Sequence, residues 1–173
     1  MPAEAHRPSA TPTAGARLAW ATQSRRAHAQ LSRLLAPHAL SLLGFTDGGV
    51  ARQQVLDHYH QATSQGRVLA QDLPDWDALA PALRQALQQL PQVPDGADAA
   101  WTLLVQDADM RGVYTLSAAA LADCAAALLR WDGNTLLLAA PGLRSGLLLD
   151  CEVSDSGAVG LQLERWSVDG WRG

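Results

Sequence analysis

The histidines of the N-terminal half are the first candidates for metal chemistry. The chain contains Asp57-His58-Tyr59-His60, with His28 and His38 upstream. Zinc in proteins is held by several side chains about 2 Å from one point, and two ligands on one helix face lie three or four residues apart. His58 and His60 are two residues apart, so on the predicted helix their side chains point about 200° apart. The pattern favours a half-exposed helix face and predicts no bound metal or other cofactor.

Two groups of aspartates have the side-chain type that binds divalent cations. Asp107 and Asp109 follow a predicted strand, and Asp72, Asp75 and Asp77 precede a predicted helix. Carboxylates of this kind hold a cation against a phosphate in many sites. Aspartate is also favoured in turns, where it bonds to nearby backbone groups, and at the positive end of a helix. Turn formation and helix capping account for both groups.

The sequence contains no local motif for nucleophilic catalysis. Ser145 resembles the serine of a glycine elbow, but no glycine stands two residues before it, and the turn around it joins two predicted strands. Cys124 lies among alanines in a predicted helix, a position typical of an inert thiol. Glycine-rich phosphate loops are also missing from the sequence. An enzyme with a dispersed active site is therefore our third hypothesis, behind two kinds of binding protein.

Arginines dominate the predicted first helix and are the clearest signal for a charged partner. The helix contains Arg17, Arg25, Arg26 and Arg33 and no acidic residue. Arg26 and Arg33 are seven residues apart and share a helix face. Arginine binds phosphate and carboxylate through its planar fork, so these four residues form the candidate interaction site. Trp171, in the polar C-terminal tail, is expected to be exposed and to serve with them as an interface anchor.

Charge is divided between the two halves of the chain. All 13 basic residues are arginine, and the net charge is −4. Residues 1–70 contain seven arginines and three acidic residues, whereas residues 71–173 contain six arginines and fourteen acidic residues. The net negative charge opposes non-specific binding to nucleic acid. It favours binding to another protein through an acidic surface.

Length and composition predict one cytoplasmic domain. A chain of 173 residues suits a single domain, and residues 1–13, with three prolines and no apolar periodicity, are predicted to be a disordered leader. The N-terminus lacks the apolar run of a signal peptide, and no stretch approaches the roughly 18 apolar residues that cross a bilayer. Cys124 and Cys151 lack the spacing of a zinc knuckle. We expect two reduced core thiols, although the sequence does not decide whether they pair.

Helices are predicted in the first part of the domain, residues 14–91. Helical spacing of apolar residues predicts one helix over 14–35, a second over about 50–70 and a third between Pro74 and Pro91. The triplet Asp47-Gly48-Gly49 is predicted to break the chain before the second helix. Residues 38–46 fit either a short strand or another helical turn.

The second part, residues 97–168, is predicted to form a sheet in the order β-β-α-β-β-β. Strands are expected near 101–105, 113–116, 135–140, 146–153 and 159–163, with a helix that Ser117 caps and that runs to Arg130. The short turns between strands imply antiparallel pairing. The predicted fold class is therefore α+β, with N-terminal helices followed by an antiparallel sheet and helices packed on one face.

These observations rank three functions. The first is a non-enzymatic, soluble protein-interaction domain, because small acidic α+β proteins include bacterial toxin-neutralising (immunity-like) proteins and regulatory binding proteins, which this chain is similar to in general character. No motif assigns the chain to any such family. The alternative is a nucleic-acid-binding protein that uses residues 17–33 of the arginine-rich first helix. The third is the enzyme with a dispersed site.

Overall fold

Five helices and seven strands form within the described residues of the computed structural model, which are 12–35, 40–90, 99–133, 135–153 and 159–171. The helices are α1 (Ala14–Leu34), α2 (Phe45–Ser64), α3 (Leu79–Gln89), α4 (Ala108–Arg111) and α5 (Ala118–Asp132). The strands are β1 (Leu40–Leu42), β2 (Val68–Leu73), β3 (Ala100–Leu104), β4 (Val113–Ser117), β5 (Thr135–Ala139), β6 (Ser145–Val153) and β7 (Val159–Ser167). Most of the leader predicted at residues 1–13 lies outside the described residues.

All seven strands belong to one antiparallel sheet with the order β1-β4-β3-β5-β6-β7-β2. The predicted α+β class and the antiparallel pairing are confirmed. Strands β3–β7 and helix α5 reproduce the predicted β-β-α-β-β-β order, with the one-turn helix α4 inside the predicted first turn. Strands β1 and β2 come from residues 14–91 and form the two edges of the sheet, so the first part of the domain contributes strands as well as helices.

The helices cover both faces of the sheet, which differs from the predicted packing on one face. Side chains of α1, α3 and α5 form one core with one side of the strands, and Leu31, Leu83 and Leu121 are fully buried there. Helix α2 forms a second core with the opposite side, through Val55 and Ala62 against Leu104, Leu137 and Trp166. Successive side chains of a strand point to opposite faces, so the apolar runs of β3 and β5 supply both cores.

The helix predicted over residues 50–70 is wrong at both ends. Helix α2 ends at Ser64, because Gly66 adopts a left-handed φ of 65° and reverses the chain. Residues 68–73 instead form β2 and pair with β7 along six residues. Backbone pairing with a neighbouring strand outweighs the weak helical preference of these residues.

The predicted chain break at Asp47-Gly48-Gly49 is also wrong. Helix α2 begins at Phe45 and runs through both glycines. Gly48 is buried, and a Cβ at this position would lie 3.6 Å from the Cβ atoms of Leu43 and Val113. Both distances are ordinary van der Waals contacts, so the site does not require glycine, and the burial of α2 against the sheet outweighs the low helix propensity of the two glycines.

Candidate binding groove

Helix α1 crosses the outside of the domain and leaves most of its surface open. Its packing contacts are mainly with the short helix α4, and fewer with α2, α5 and β1. Thr13 caps its N-terminus, where Oγ1 accepts a hydrogen bond from the Ala16 N–H at 3.2 Å. Ser24, Ala27 and Leu31 are its buried residues, spaced three and four apart as expected for one packed face. The other residues of the helix are exposed or half-buried.

A groove of about 350 Å³ lies beside this packed face. It is lined by Gln23, Arg26, Ala27 and Gln30 of α1, by Arg111 of α4 and by Trp131 of α5. Three segments that are distant in sequence therefore meet at one site. Its volume lies at the lower end of the range for ligand pockets, about 300–1,000 Å³, but guanidinium and amide groups replace the usual apolar lining.

Arg111 is held in place from two sides. Its Nη1 donates a hydrogen bond to Oδ1 of Asp132 at 3.0 Å, and the Asp132 side chain is fully buried whereas 33% of the Arg111 side chain is exposed. The guanidinium also lies over the Trp131 ring, 5.2 Å from the ring centroid. These contacts limit the rotamers of a long side chain, so the Arg111 guanidinium has little conformational entropy left to lose.

Asp132 connects the groove to the turn after β3. Its Oδ2 accepts a hydrogen bond from the Gln106 backbone N–H at 2.7 Å. Burial raises the pKa of Asp132 above its usual value, although the Gln106 N–H and the Arg111 charge act in the opposite direction. Both carboxylate oxygens of Asp132 thus accept hydrogen bonds from other residues of the fold.

The raised pKa of Asp132 predicts a pH dependence of stability. The unfolded chain loses the Asp132 proton at a pKa of about 3.9, below that of the folded state. The stabilisation from this group is therefore complete below that pH and is lost as the pH rises through the folded-state pKa. We expect the destabilisation caused by Asp132→Asn to be smaller at pH 7 than at pH 4. Urea unfolding at both pH values measures this, and a destabilisation that grows with pH would contradict it.

The four predicted arginines do not converge on one site. Arg26 lines the groove, and Arg33 lies on the same side of α1, seven residues further along. Arg25 is 100° away from Arg26 around the helix, and Arg17 is about 180° away. All four side chains are exposed, and none forms an ion pair with another residue of the described ranges.

Trp171 differs from its predicted role as an exposed anchor. It is half-buried and packs against the core on the α3 and α5 side of the sheet. Arg165 lies over its ring, 5.4 Å from the centroid. The tryptophan that borders the groove is Trp131, which the sequence analysis did not single out.

The other candidate residues have structural partners. His58 donates from Nδ1 to the Leu143 carbonyl oxygen at 2.7 Å, which holds α2 to the turn after β5, and His60 is exposed. Asp107 caps α4 in a left-handed conformation, with φ of 55°, and its carbonyl accepts hydrogen bonds from the Met110 and Arg111 N–H groups. Asp75 accepts from the Ala78 N–H before α3. Over the described part of the chain, no group of three or more metal-ligating side chains could hold a metal ion.

The candidate nucleophiles are built into the core. Cys124 and Cys151 are both buried and are not joined by a disulfide. Burial, with a smaller contribution from the Asp123 charge, raises the pKa of Cys124 to about 11, which keeps the thiol protonated near neutral pH. Ser145 is buried where the turn enters β6.

Among the helices of the described residues, none combines the length and the apolar character that a membrane-spanning segment needs.

A second groove, of about 220 Å³, lies at the other end of the sheet. Asp72, Asp150, Glu152 and Gln162 provide its polar lining. Two of its three carboxylates form hydrogen bonds within the fold, because Asp150 accepts from Thr135 Oγ1 at 2.6 Å and Asp72 accepts from Gln162 Nε2 at 3.0 Å. Exposed arginines thus lie along α1, and acidic residues line the groove near β2.

Sequence reasoning found Arg26 but missed Arg111, Trp131 and Asp132. The signal for the missed residues was weak. Trp131 and Asp132 directly follow the predicted helix, and Arg111 lies in a predicted turn 20 residues before Trp131. Only the packing of α1 against α4 and α5 brings Arg26 and Arg111 to the same groove.

Comparisons with protein-family models, with curated proteins and with solved structures find no match for the chain.

Proposed function

We propose that the chain is a non-enzymatic protein-interaction domain that binds its partner along α1 and in the groove between α1, α4 and α5. The observation that carries this proposal is the arrangement of Arg26, Arg111 and Trp131 around one groove. Arginine and tryptophan are the residue types most enriched among interface hot spots. Among the described residues, those lining the groove offer guanidinium, amide, indole and methyl groups, and these include neither a nucleophile nor a general base.

The exposed surface of α1 supports docking of a protein. The helix has 21 residues and is therefore about 30 Å long, which is long enough to cross an interface of ordinary size. Apolar side chains stand at both ends of it, where Leu18 is 70% and Leu34 is 41% exposed. Exposed apolar residues among arginines are the composition expected of a protein interface.

The basic groove is a better docking surface than the acidic surface that the sequence favours. The carboxylates of Asp72 and Asp150 form hydrogen bonds within the sheet, so a partner would have to replace those bonds. Arg26 forms no ion pair within the described residues, and its charge is available at no such cost. We therefore propose an acidic partner surface, opposite in charge to α1.

Binding to nucleic acid is the alternative and has less support. The arginines of α1 are spread around the helix, with Arg17 and Arg26 on opposite sides, whereas a phosphate backbone needs cations along one track. For the protein-interaction domain, we propose that the chain acts in the cytoplasm, where it neutralises a toxin or regulates its partner protein.

Photo-crosslinking tests the proposal at single residues. A photoreactive amino acid is introduced at Gln30, in the groove, or at Gln54, an exposed residue of α2 on the opposite face of the sheet. We expect a discrete protein product from Gln30 in the cells that express the chain, and a loss of at least about tenfold when Arg26→Glu is added, because the substitution reverses an interface charge. Gel mobility and mass spectrometry measure the product.

The position at Gln54 is the matched control. Equal products from Gln30 and Gln54, or a Gln30 product that Arg26→Glu leaves unchanged, would contradict docking in the groove. A product that is lost on nuclease treatment would instead support the nucleic-acid alternative.

A further inference from the structure

We infer that the groove between α1, α4 and α5 binds a single carboxylate, supplied by an aspartate or glutamate side chain of the partner protein. This inference rests on the proposed function and names the chemical group that the groove recognises. It concerns Arg26 and Arg111 as the cations, Gln23 and Gln30 as the amide donors, and Trp131 as the wall.

Arg111 supplies a fixed guanidinium. One of its five N–H groups is bonded to Asp132, and the Trp131 ring supports the guanidinium plane from one side. One third of the side chain remains exposed toward solvent. A guanidinium that is already held in place binds a planar carboxylate with a smaller entropic cost than a mobile one.

Helix α1 supplies the second cation with neutral donors on either side of it. Gln23, Arg26 and Gln30 follow each other at spacings of three and four residues, so they lie along one face. Their side chains are exposed, and among the described residues none of them forms a hydrogen bond or an ion pair. An incoming carboxylate therefore finds unoccupied donors here.

The charge of the groove favours a carboxylate over a phosphate. Among the residues that line the groove and the direct partner of Arg111, the ion pair of Arg111 with Asp132 is neutral as a unit, so Arg26 supplies the net positive charge. One net positive charge matches a carboxylate, which carries one negative charge, whereas inorganic phosphate or a phosphate monoester carries nearly two at neutral pH. The indole of Trp131 also offers an apolar surface to the methylene groups of a glutamate.

Titration of the isotope-labelled full chain tests the inference. The probe is glutamate capped at both ends, and the readout is the indole N–H resonance of Trp131, which its loss in Trp131→Phe assigns. We expect a saturable shift with a millimolar Kd, as a ligand of this size allows. Arg26→Gln should weaken binding at least about tenfold, because it removes a charged hydrogen bond. Arg25→Gln, a neighbouring exposed change outside the groove, should alter the Kd less than about twofold.

Three further titrations make the test decisive. Capped glutamine, which lacks the charge, should produce no saturable shift, and inorganic phosphate and a thymidine decamer should bind more weakly than capped glutamate. A stronger response to either phosphate probe, an equal response to capped glutamine, or no response to capped glutamate would overturn the inference. If capped glutamate fails while the Gln30 crosslink still depends on Arg26, the proposed function stands and only the carboxylate is wrong. If capped glutamate binds but no crosslink forms, the proposed function fails by itself.

Discussion

Gly146→Ala is expected to destabilise the protein by at least about 3 kcal/mol. Gly146 pairs with Ala139 in the middle of the sheet, and an added Cβ would lie 1.9 Å from the Leu138 carbonyl oxygen and 2.6 Å from Cζ2 of Trp166. Neither neighbour can move freely, because one is strand backbone and the other is a fully buried indole. For a chain of this length, the loss corresponds to a decrease in Tm of about 6–12 °C.

Gly160→Ala is the matched control for this change. Gly160 also lies in a strand of the same sheet, but the nearest atom to an added Cβ there is the Glu152 carbonyl oxygen at 3.8 Å, an ordinary contact. We expect a change within about 0.5 kcal/mol. Thermal and urea unfolding of both variants measure the two effects, and similar values for the two glycines would show that the close approach of Trp166 has no energetic importance.

The Gly146 contact also fixes the position of α2. Trp166 packs edge-on against Tyr59 of α2, with ring centroids 6.0 Å apart, and Tyr59 donates a hydrogen bond to Glu164 Oε2 at 2.7 Å. Displacement of the Trp166 ring would therefore loosen the helix that covers the second face of the sheet. We expect the Gly146→Ala variant to lose near-ultraviolet signal from its tryptophans before it loses helix signal.

Asp132→Ala is expected to lower the free energy of unfolding by about 2–3 kcal/mol at neutral pH. The substitution removes the buried carboxylate and leaves the Gln106 N–H and the Arg111 guanidinium without their partner at a part-buried position. The cost falls below the usual range for a broken buried ion pair, because one third of the Arg111 side chain can be solvated. Urea unfolding at pH 7 measures it.

Asp123→Ala tests whether burial is the cause. Asp123 lies in the same helix and pairs with Arg84 at the same distance, 3.0 Å, but its side chain is 54% exposed and that of Arg84 is 58% exposed. Surface pairs of this kind contribute little, so we expect a change within about 0.5 kcal/mol. If Asp132→Ala and Asp123→Ala lower the free energy of unfolding equally, burial does not explain the importance of Asp132.

The two substitutions affect different properties of the molecule. Gly146→Ala disturbs the packing of the sheet, and it should not move the side chains of the groove while the protein remains folded. Asp132 concerns the groove itself, because it holds Arg111. An Asp132 variant that remains folded should therefore bind capped glutamate with altered affinity, whereas a Gly160 variant should not.

The groove could be predicted only in part. The four arginines of α1 are visible as a cluster without acidic neighbours, because helical spacing and charge are properties of one short segment. Which of these arginines lies in the groove depends on the rotation of α1 about its axis. That rotation follows from the burial of Ser24, Ala27 and Leu31. Arg26 enters the groove for this reason, and Arg17 and Arg25 do not.

The positions of Trp131 and Trp171 illustrate the same limit. The polar surroundings of Trp171 in sequence predict exposure, but the tail folds back on the core and Arg165 covers the ring. Trp131 lies at the end of an apolar helix, yet it is only half-buried and borders the groove. Local composition does not predict which tryptophan a distant element will cover.

By itself, the sequence determined the α+β class, the β-β-α-β-β-β order of strands β3–β7 and helix α5, and the Ser117 cap of α5, because these depend on residue alternation, turn residues and local hydrogen bonds. Only the tertiary structure decided that residues 68–73 form an edge strand, that α2 covers the second face of the sheet, and that Arg26, Arg111 and Trp131 line one groove. The reason is that strand pairing and side-chain burial join residues far apart in the chain, and their energies outweigh the small local preferences of each segment.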